Sequence, residues 1–171
     1  MEGGGPVARG ARPGGGAGGP AIRRAGPDDL DVLVELWLEM ARHHQDLDPY
    51  FRLRPDARGA ARRLLVRELG DPDAAAWLAG DPPQGFCIVR IDRAPPIQEE
   101  VERAEITDLG VRPGARRGGL GRGLVEAALD WVRERGVSRV EIRVAERNAE
   151  GQAFWRALGF GDFMDILQRG L

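Results

Sequence analysis

The sequence contains no lysine. Its 25 basic residues are all arginine and face 27 acids, for a net charge of -2. A P-loop needs a Gly-Lys-Ser/Thr run and is excluded. The missing basic excess argues against a nucleic-acid partner. Richness in Arg, Gly, Ala and Pro fits a GC-rich coding sequence. Cys87 is the single cysteine, so no internal disulfide can form. With only two histidines, no Cys/His cluster has metal-ligand spacing, and no metal is expected. A reducing cytoplasm fits this cysteine usage. No apolar run approaches the ~18 residues of a membrane span, so no membrane role is expected. Residues 1–20, MEGGGPVARGARPGGGAGGP, lack the apolar core of a signal peptide. They cannot bury enough apolar surface to offset their ordering entropy. Residues 1–20 are expected to form a disordered tail, and residues 21–171 the folded domain.

The remaining pattern changes period several times. Ala21 to Ala25 is a short strand candidate, and Pro27-Asp28-Asp29 opens a helix with acids at its positive end. Leu30, Leu33, Val34, Trp37, Leu38 and Ala41 form one stripe at helical spacing, fading near His44. A second helix is expected from Pro55 or Asp56 to Leu69. AAAWLAG (Ala74 to Gly80) and GFCIVRI (Gly85 to Ile91) flank an Asp81-Pro82-Pro83-Gln84 turn and read as a hairpin. Arg93 to Glu100 reads as a loop. Val101 to Val111 is a long strand, in which Gly110 marks a bulge or close backbone approach. Gly118 to Arg135 is a helix, Ser138 to Glu146 a strand, Ala149 to Leu158 a short helix, and Phe160 to Gln168 a final strand. The order is β-α-α-β-β-β-α-β-α-β. The strands on either side of the Gly118 helix are joined by a crossover and should be parallel neighbours. The fold class expected is α/β of the α+β type, a mixed central sheet of about six to seven strands flanked by four helices.

One stretch concentrates glycine where a helix begins: RRGGLGRGLVEAALDWV, Arg116 to Val132. A helix start carries unpaired N–H groups and about half a positive charge, which attract phosphate. Glycine lets an anion approach those groups without a Cβ in the way. A dinucleotide fingerprint needs G-x-G-x-x-G, and here GLGRGL, from Gly119, brings the third glycine one place early. An Arg-x-x-Gly-x-Gly loop is filled by Arg116, Gly119 and Gly121. A glycine-rich turn with no ligand is the bland alternative.

Two stretches together resemble the GNAT superfamily of acyl-CoA-dependent N-acyltransferases. DLGVRPGARRGGLGRGLVEAAL is similar to that family's cofactor-binding motif, a strand ending in Leu-Gly-Val followed by the Arg-x-x-Gly-x-Gly loop. VAERNAEGQAFWRALGF is similar to its next element, a strand, an Asn, a short helix with an aromatic pair, and Leu-Gly-Phe. The resemblance covers residues 21–168. It implies the GNAT fold and a V-shaped opening between the two parallel strands that admits the pantetheine arm of acetyl-CoA. It implies that Leu109 and Val111, with Gly110 between them, pair their backbones with that arm. N–H groups from Arg117 through Gly118, Gly119, Leu120 and Gly121 to Arg122 would bind the pyrophosphate, with Arg116 adding charge at the mouth. Asn148 would contact the arm or cap the last helix, and Phe154 would lie near the arm or in the core.

The implied chemistry is attack of a neutral primary amine on a thioester. A lysine-like amine of pKa ~10.4 costs about 4.6 kcal/mol to deprotonate at pH 7, an α-amine of pKa ~8 only about 1.4. A base is therefore valuable. Some family members place a glutamate where this chain has Glu105, four residues before Leu109 and nominally on its face, although a bulge would break that phase. An ion pair is the alternative use of Glu105, and Asp108 is the next candidate base. Many members use a tyrosine as general acid seven residues after the Asn. This chain has Trp155 there, which cannot act as an acid near neutral pH. Tyr50, the only tyrosine, is a candidate substitute. Family specificity usually comes from the first two helices and the loop between them. Here that places His43, His44, Asp46, Asp48, Tyr50 and Phe51 around the acceptor, or in a plain polar loop. The activity implied is transfer from acetyl-CoA to a small-molecule amine or a protein N-terminus in a ternary complex. A non-catalytic acyl-CoA-binding or sensor module is the alternative, and a homodimer is one arrangement the family implies.

Overall fold

The computed structural model describes residues 21–170 apart from 96, 98, 100 and 101. The expected tail, residues 1–20, lies outside the described residues. The chain forms β1 (Ile22–Arg24), α1 (Leu30–Leu47), α2 (Ala57–Gly70), β2 (Ala74–Ala79), β3 (Gly85–Arg93), β4 (Glu102–Val111), α3 (Leu120–Glu134), β5 (Val140–Ile142) and α4 (Ala149–Ala157). Short 3-10 turns precede α1, α2 and α3.

The sheet runs β1-β2-β3-β4-β5. Neighbours are antiparallel except β4 and β5, which are parallel across the α3 crossover, as the sequence order requires. Helices cover both faces. Ala75, Trp77, Cys87, Val89, Ala104 and Ile106 pack with Leu124, Ala128, Trp131 and Trp155 of α3 and α4. Ala76, Leu78, Phe86 and Ile88 pack with Leu33, Val34, Ala61 and Leu65 of α1 and α2. This double cover explains why AAAWLA and GFCIV are unbroken apolar runs rather than alternating ones.

Three expectations need correction. The described sheet has five strands, not six to seven. The strand expected over Ser138 to Glu146 is reduced to Val140–Ile142, because β5 pairs with β4 only from Ala104 to Ile106. The strand expected over Phe160 to Gln168 is not formed. Its apolar residues come in adjacent pairs, Phe163-Met164 and Ile166-Leu167, so neither face of a period-two strand collects them. All four side chains are exposed.

Candidate functional site

The decisive local feature is a bulge in β4. Ile88 lies opposite Asp108 while Val89 lies opposite Ile106, so Thr107 is an extra residue without a partner on β3. Beyond it, the Arg112 N–H donates to the Gln84 carbonyl at 2.9 Å. Antiparallel pairs alternate between bonded and non-bonded. The 112/84 bond therefore makes 110/86 and 108/88 the bonded pairs. Leu109 and Val111 are left with backbone groups aimed away from β3, at the edge where β5 has stopped pairing. β5 thus stops pairing with β4 before these two residues. They are the two residues the sequence reading named.

The same bulge separates the carboxylates from that edge. Leu109 and Val111 pack their side chains toward α3 with Ala104 and Ile106. Glu105 and Asp108 point to the α1/α2 face, opposite Arg90 and Ile88. Glu105 therefore does not share a face with Leu109, which corrects the nominal parity. Only 8% of Glu105 is exposed. Its carboxylate is flanked by Arg90 at 3.6 Å and Arg143 at 3.3 Å. Asp108 is partly accessible, and one of its oxygens accepts a 2.9 Å hydrogen bond from the Trp37 indole. Burial pushes its pKa up from the usual aspartate value. The Trp37 hydrogen bond acts against that shift, the Glu105 charge adds to it, and Arg90 opposes it.

After β4, Pro113–Ala115 make one 3-10 turn and the chain enters α3 through two left-handed residues, Arg117 (φ 64°) and Gly119 (φ 83°). Gly119 occupies the position before the first helical residue and no side chain caps it. The first-turn N–H groups at Leu120, Gly121 and Arg122 have no partner within the helix. A Cβ at Gly119 would meet nothing within 4 Å, whereas one at Gly121 would lie 3.3 Å from the Phe154 ring. Gly119 thus leaves open space, and Gly121 lets α4 approach α3. A Cβ at Gly118 would make only an ordinary 3.7 Å contact with the Ala115 carbonyl. Arg116 is not a free cation at the mouth. Its Nε donates to the Val111 carbonyl at 3.1 Å and it bridges to Glu150 of α4 at 2.9 Å. Arg122 lies 3.9 Å from Glu126 on the same helix.

Asn148 caps α4, its side chain accepting from the Gly151 N–H at 2.9 Å. Phe154 is half-buried against Gly121 and the α3-side core. Trp155 is a core residue, 8% exposed, with edge-to-face contacts to Phe154 and Phe160. Its ring is packed where a site acid would need to face an opening.

The loop after α1 brings its aromatic residues together. His44 lies 5.6 Å from Phe51 and 6.1 Å from His43 between ring centroids, and Tyr50 packs edge-on to Phe51 at 5.2 Å. Burial, with the neighbouring His43, lowers the pKa of His44. Asp48 accepts from the Tyr50 N–H at 2.8 Å and pairs with Arg147 at 3.2 Å, so it is not a free anion awaiting a cationic substrate. That pair pins the loop to the segment entering α4. Tyr50 is 72% exposed, and among the described residues no hydrogen bond or ring contact joins it to Glu105 or Asp108. Among the described residues no cluster of His, Cys, Asp or Glu is arranged to hold a metal ion. No described helix is long and apolar enough to cross a membrane.

Sequence reasoning missed Trp37, Arg90, Arg143 and Arg147 as site neighbours. Trp37 fitted the apolar stripe of α1, and only its indole N–H, which seeks an acceptor when buried, signalled a polar role.

A mixed sheet whose parallel pair ends beside an uncapped glycine-rich helix start is the arrangement the acyltransferase resemblance implied. The model of the acetyltransferase (GNAT) family matches residues 32–160, and the chain belongs to that family. A mycothiol acetyltransferase of Beutenbergia cavernae is 40% identical over 84 residues, 49% of this chain and 27% of that protein. An uncharacterised N-acetyltransferase of Archaeoglobus fulgidus is 31% identical over 141 residues, 78% of this chain and 88% of that protein. Among solved structures, a tetramutant of a Bacillus halodurans protein superposes with a TM-score of 0.77 at 18% identity, over 88% of this chain and 99% of that one. The chain spans about a quarter of the mycothiol acetyltransferase it matches.

Proposed function

We propose that this protein is an N-acetyltransferase that transfers the acetyl group of acetyl-CoA to a primary amine by direct attack. The observation carrying this reading is the outward-facing backbone of Leu109 and Val111 beside the uncapped start of α3. An extended amide-bearing arm would add to the β4 edge as a strand does. Leu109 offers both an N–H and a carbonyl. Val111 offers its N–H, since Arg116 already holds its carbonyl. The pyrophosphate would lie on the N–H groups from Arg117 to Arg122, where Gly119 leaves room.

In the reaction the amine nitrogen attacks the thioester carbonyl carbon. The C–S bond breaks, coenzyme A leaves as the thiolate, and the nitrogen loses a proton. Asp108 is favoured over Glu105 as the acceptor of that proton. It is partly accessible, its pKa is raised toward the working range of a base, and one oxygen is fixed by Trp37. Glu105 is enclosed by two guanidinium groups that compete for its lone pairs. The departing thiolate takes its proton from water, because Trp155 is packed in the core and Tyr50 has no contact with the carboxylates. The His43, His44, Tyr50 and Phe51 rings form an aromatic surface for the acceptor's substituent. A small-molecule amine is the acceptor class we favour, in line with the relative named for mycothiol. A cytoplasmic location and self-association as a homodimer belong to this reading, the latter tested by sedimentation across concentration.

The test is a thiol-release assay over a broad amine panel with Asp108→Asn and Glu105→Gln. Asp108→Asn should lower kcat about 100-fold or more, the usual contribution of a general base, with acetyl-CoA affinity retained. Acetyl-CoA binding without turnover of any amine would favour a non-catalytic acyl-CoA-binding module.

A further inference from the structure

Asp108 is surrounded by groups from every element packed over that face of the sheet. Glu105 neighbours it on β4, Arg90 on β3, Glu68 on α2, and Trp37 reaches down from α1, while the buried Cys87 thiol lies on the opposite face of β3. Glu105 and Glu68 are acids, and Arg90 is the guanidinium acting directly on Asp108. Arg90 is divided among Asp92 at 3.2 Å, Glu105 at 3.6 Å and the charge of Glu68. The neutral Trp37 N–H, at 2.9 Å, is the donor from α1 committed to Asp108 alone.

We propose that Trp37 is the positioning residue of Asp108. It fixes which carboxylate oxygen faces the opening and sets the proton affinity of that group. The proposal rests on the reading of Asp108 as the base, but its geometry stands without it. A rigid donor on a packed helix removes rotational freedom from the carboxylate. The bonded oxygen is turned to α1, which leaves the other as the proton acceptor. A bond to the ionised form also lowers proton affinity. Trp37 thus counters the burial and the neighbouring acids and lowers the proton affinity of the base. Phenylalanine in its place would preserve the apolar stripe of α1 and remove only the donor.

The measurement is NMR on the full chain without substrate. Four indole N–H resonances are expected from Trp37, Trp77, Trp131 and Trp155. The one missing from Trp37→Phe should move with pH in the parent protein and stay still in Asp108→Asn. The Asp108 carboxyl carbon should titrate in both the parent and Trp37→Phe, with its midpoint higher in Trp37→Phe by about one pH unit. An indole resonance that ignores pH, or an Asp108 midpoint unmoved by Trp37→Phe, overturns the proposal. If Trp37→Phe does not fold, Asp108→Asn still decides it through the indole resonance assigned in the parent. The two readings separate cleanly. Asp108→Asn retaining full turnover would defeat Asp108 as the base while leaving the coupled titration intact. The reverse result would leave the base and defeat the role of Trp37.

Discussion

Arg116 holds Glu150 at 2.9 Å with one nitrogen while another donates to the Val111 carbonyl. One side chain thereby ties the end of β4, the glycine-rich loop and the first turn of α4. Exposed ion pairs contribute only ~0–1 kcal/mol to stability. Arg116→Gln should therefore melt near the parent temperature. It should nonetheless weaken coenzyme A binding by roughly tenfold, about 1.4 kcal/mol, because the loop is no longer registered against the strand edge. Calorimetric titration with coenzyme A, run beside a melting curve, checks both halves.

Gly110 and Phe86 face each other across β3 and β4. A Cβ at Gly110 would lie 2.6 Å from Cε1 of Phe86, and Phe86 has 0% exposure, so its ring has nowhere to retreat. Gly110→Ala should lose ~1–3 kcal/mol, the usual range for overpacking. Chemical denaturation should show the loss. A Gly110→Ala, Phe86→Leu double variant should recover part of it.

The glycines of the phosphate loop are not equivalent. Gly119 has φ 83° with empty space where a Cβ would go, while Gly118 has neither positive φ nor a close neighbour. Gly119→Ala should destabilise by about 1 kcal/mol through backbone strain. Gly118→Ala should leave the melt unchanged. If Gly118→Ala also reduces coenzyme A affinity, the loop's bare backbone is needed for the ligand and not for the fold. Unchanged affinity would remove Gly118 from the phosphate site.

Stability should pass through a maximum on acidification. The Arg23 guanidinium beside Asp29 holds that carboxyl down to about 2, and Arg112 holds Glu39 below its usual value. Folded-state affinities below the unfolded ones give stability present above the ordinary carboxylate range and lost as pH falls through the folded values. Burial raises Asp108 and Glu68 instead. These groups bind protons in the folded chain before the unfolded one, so stability rises as pH falls from neutrality toward the carboxylate range. Melting temperatures from pH 7 to 2 should climb slightly, then drop steeply below about pH 4. Arg23→Ala should lower the melting temperature near neutral pH and make the acid drop shallower, because the partner that holds the Asp29 proton affinity down is gone.

Sequence alone located the elements that bury a stripe. Leu124, Ala128, Trp131 and Val132 lie where helical spacing puts them, and AAAWLA pairs with GFCIV as written. Glycine and arginine marked the loop before α3. What escaped was phase. Thr107 is an ordinary strand residue in sequence, and nothing in VERAEITDLGV announces that it has no partner on β3. The face of every residue after it was therefore open to error, and Glu105 was placed with Leu109 on that account. Phe160 to Gln168 looked strand-like by composition, yet its paired apolar residues offer no single face. The roles of Arg90, Arg143 and Arg147 depend on neighbours distant in the chain, which local pattern does not record.

The extra residue in β4 has a consequence for how such a protein can change. Thr107 sits between Glu105 and Asp108, so it sets the frame of Asp108 and of the outward amides relative to Glu105. Deleting it would restore an unbroken ladder in which Ile106 still faces Val89, Asp108 still faces Ile88, and every residue through Val111 keeps its face. Substitutions can retune either half independently, whereas a residue inserted after Asp108 would turn the outward amides of the edge back toward β3. Loss of Thr107 should accordingly leave the faces of Asp108 to Val111 unchanged, whereas a residue added between Asp108 and Leu109 should not be tolerated.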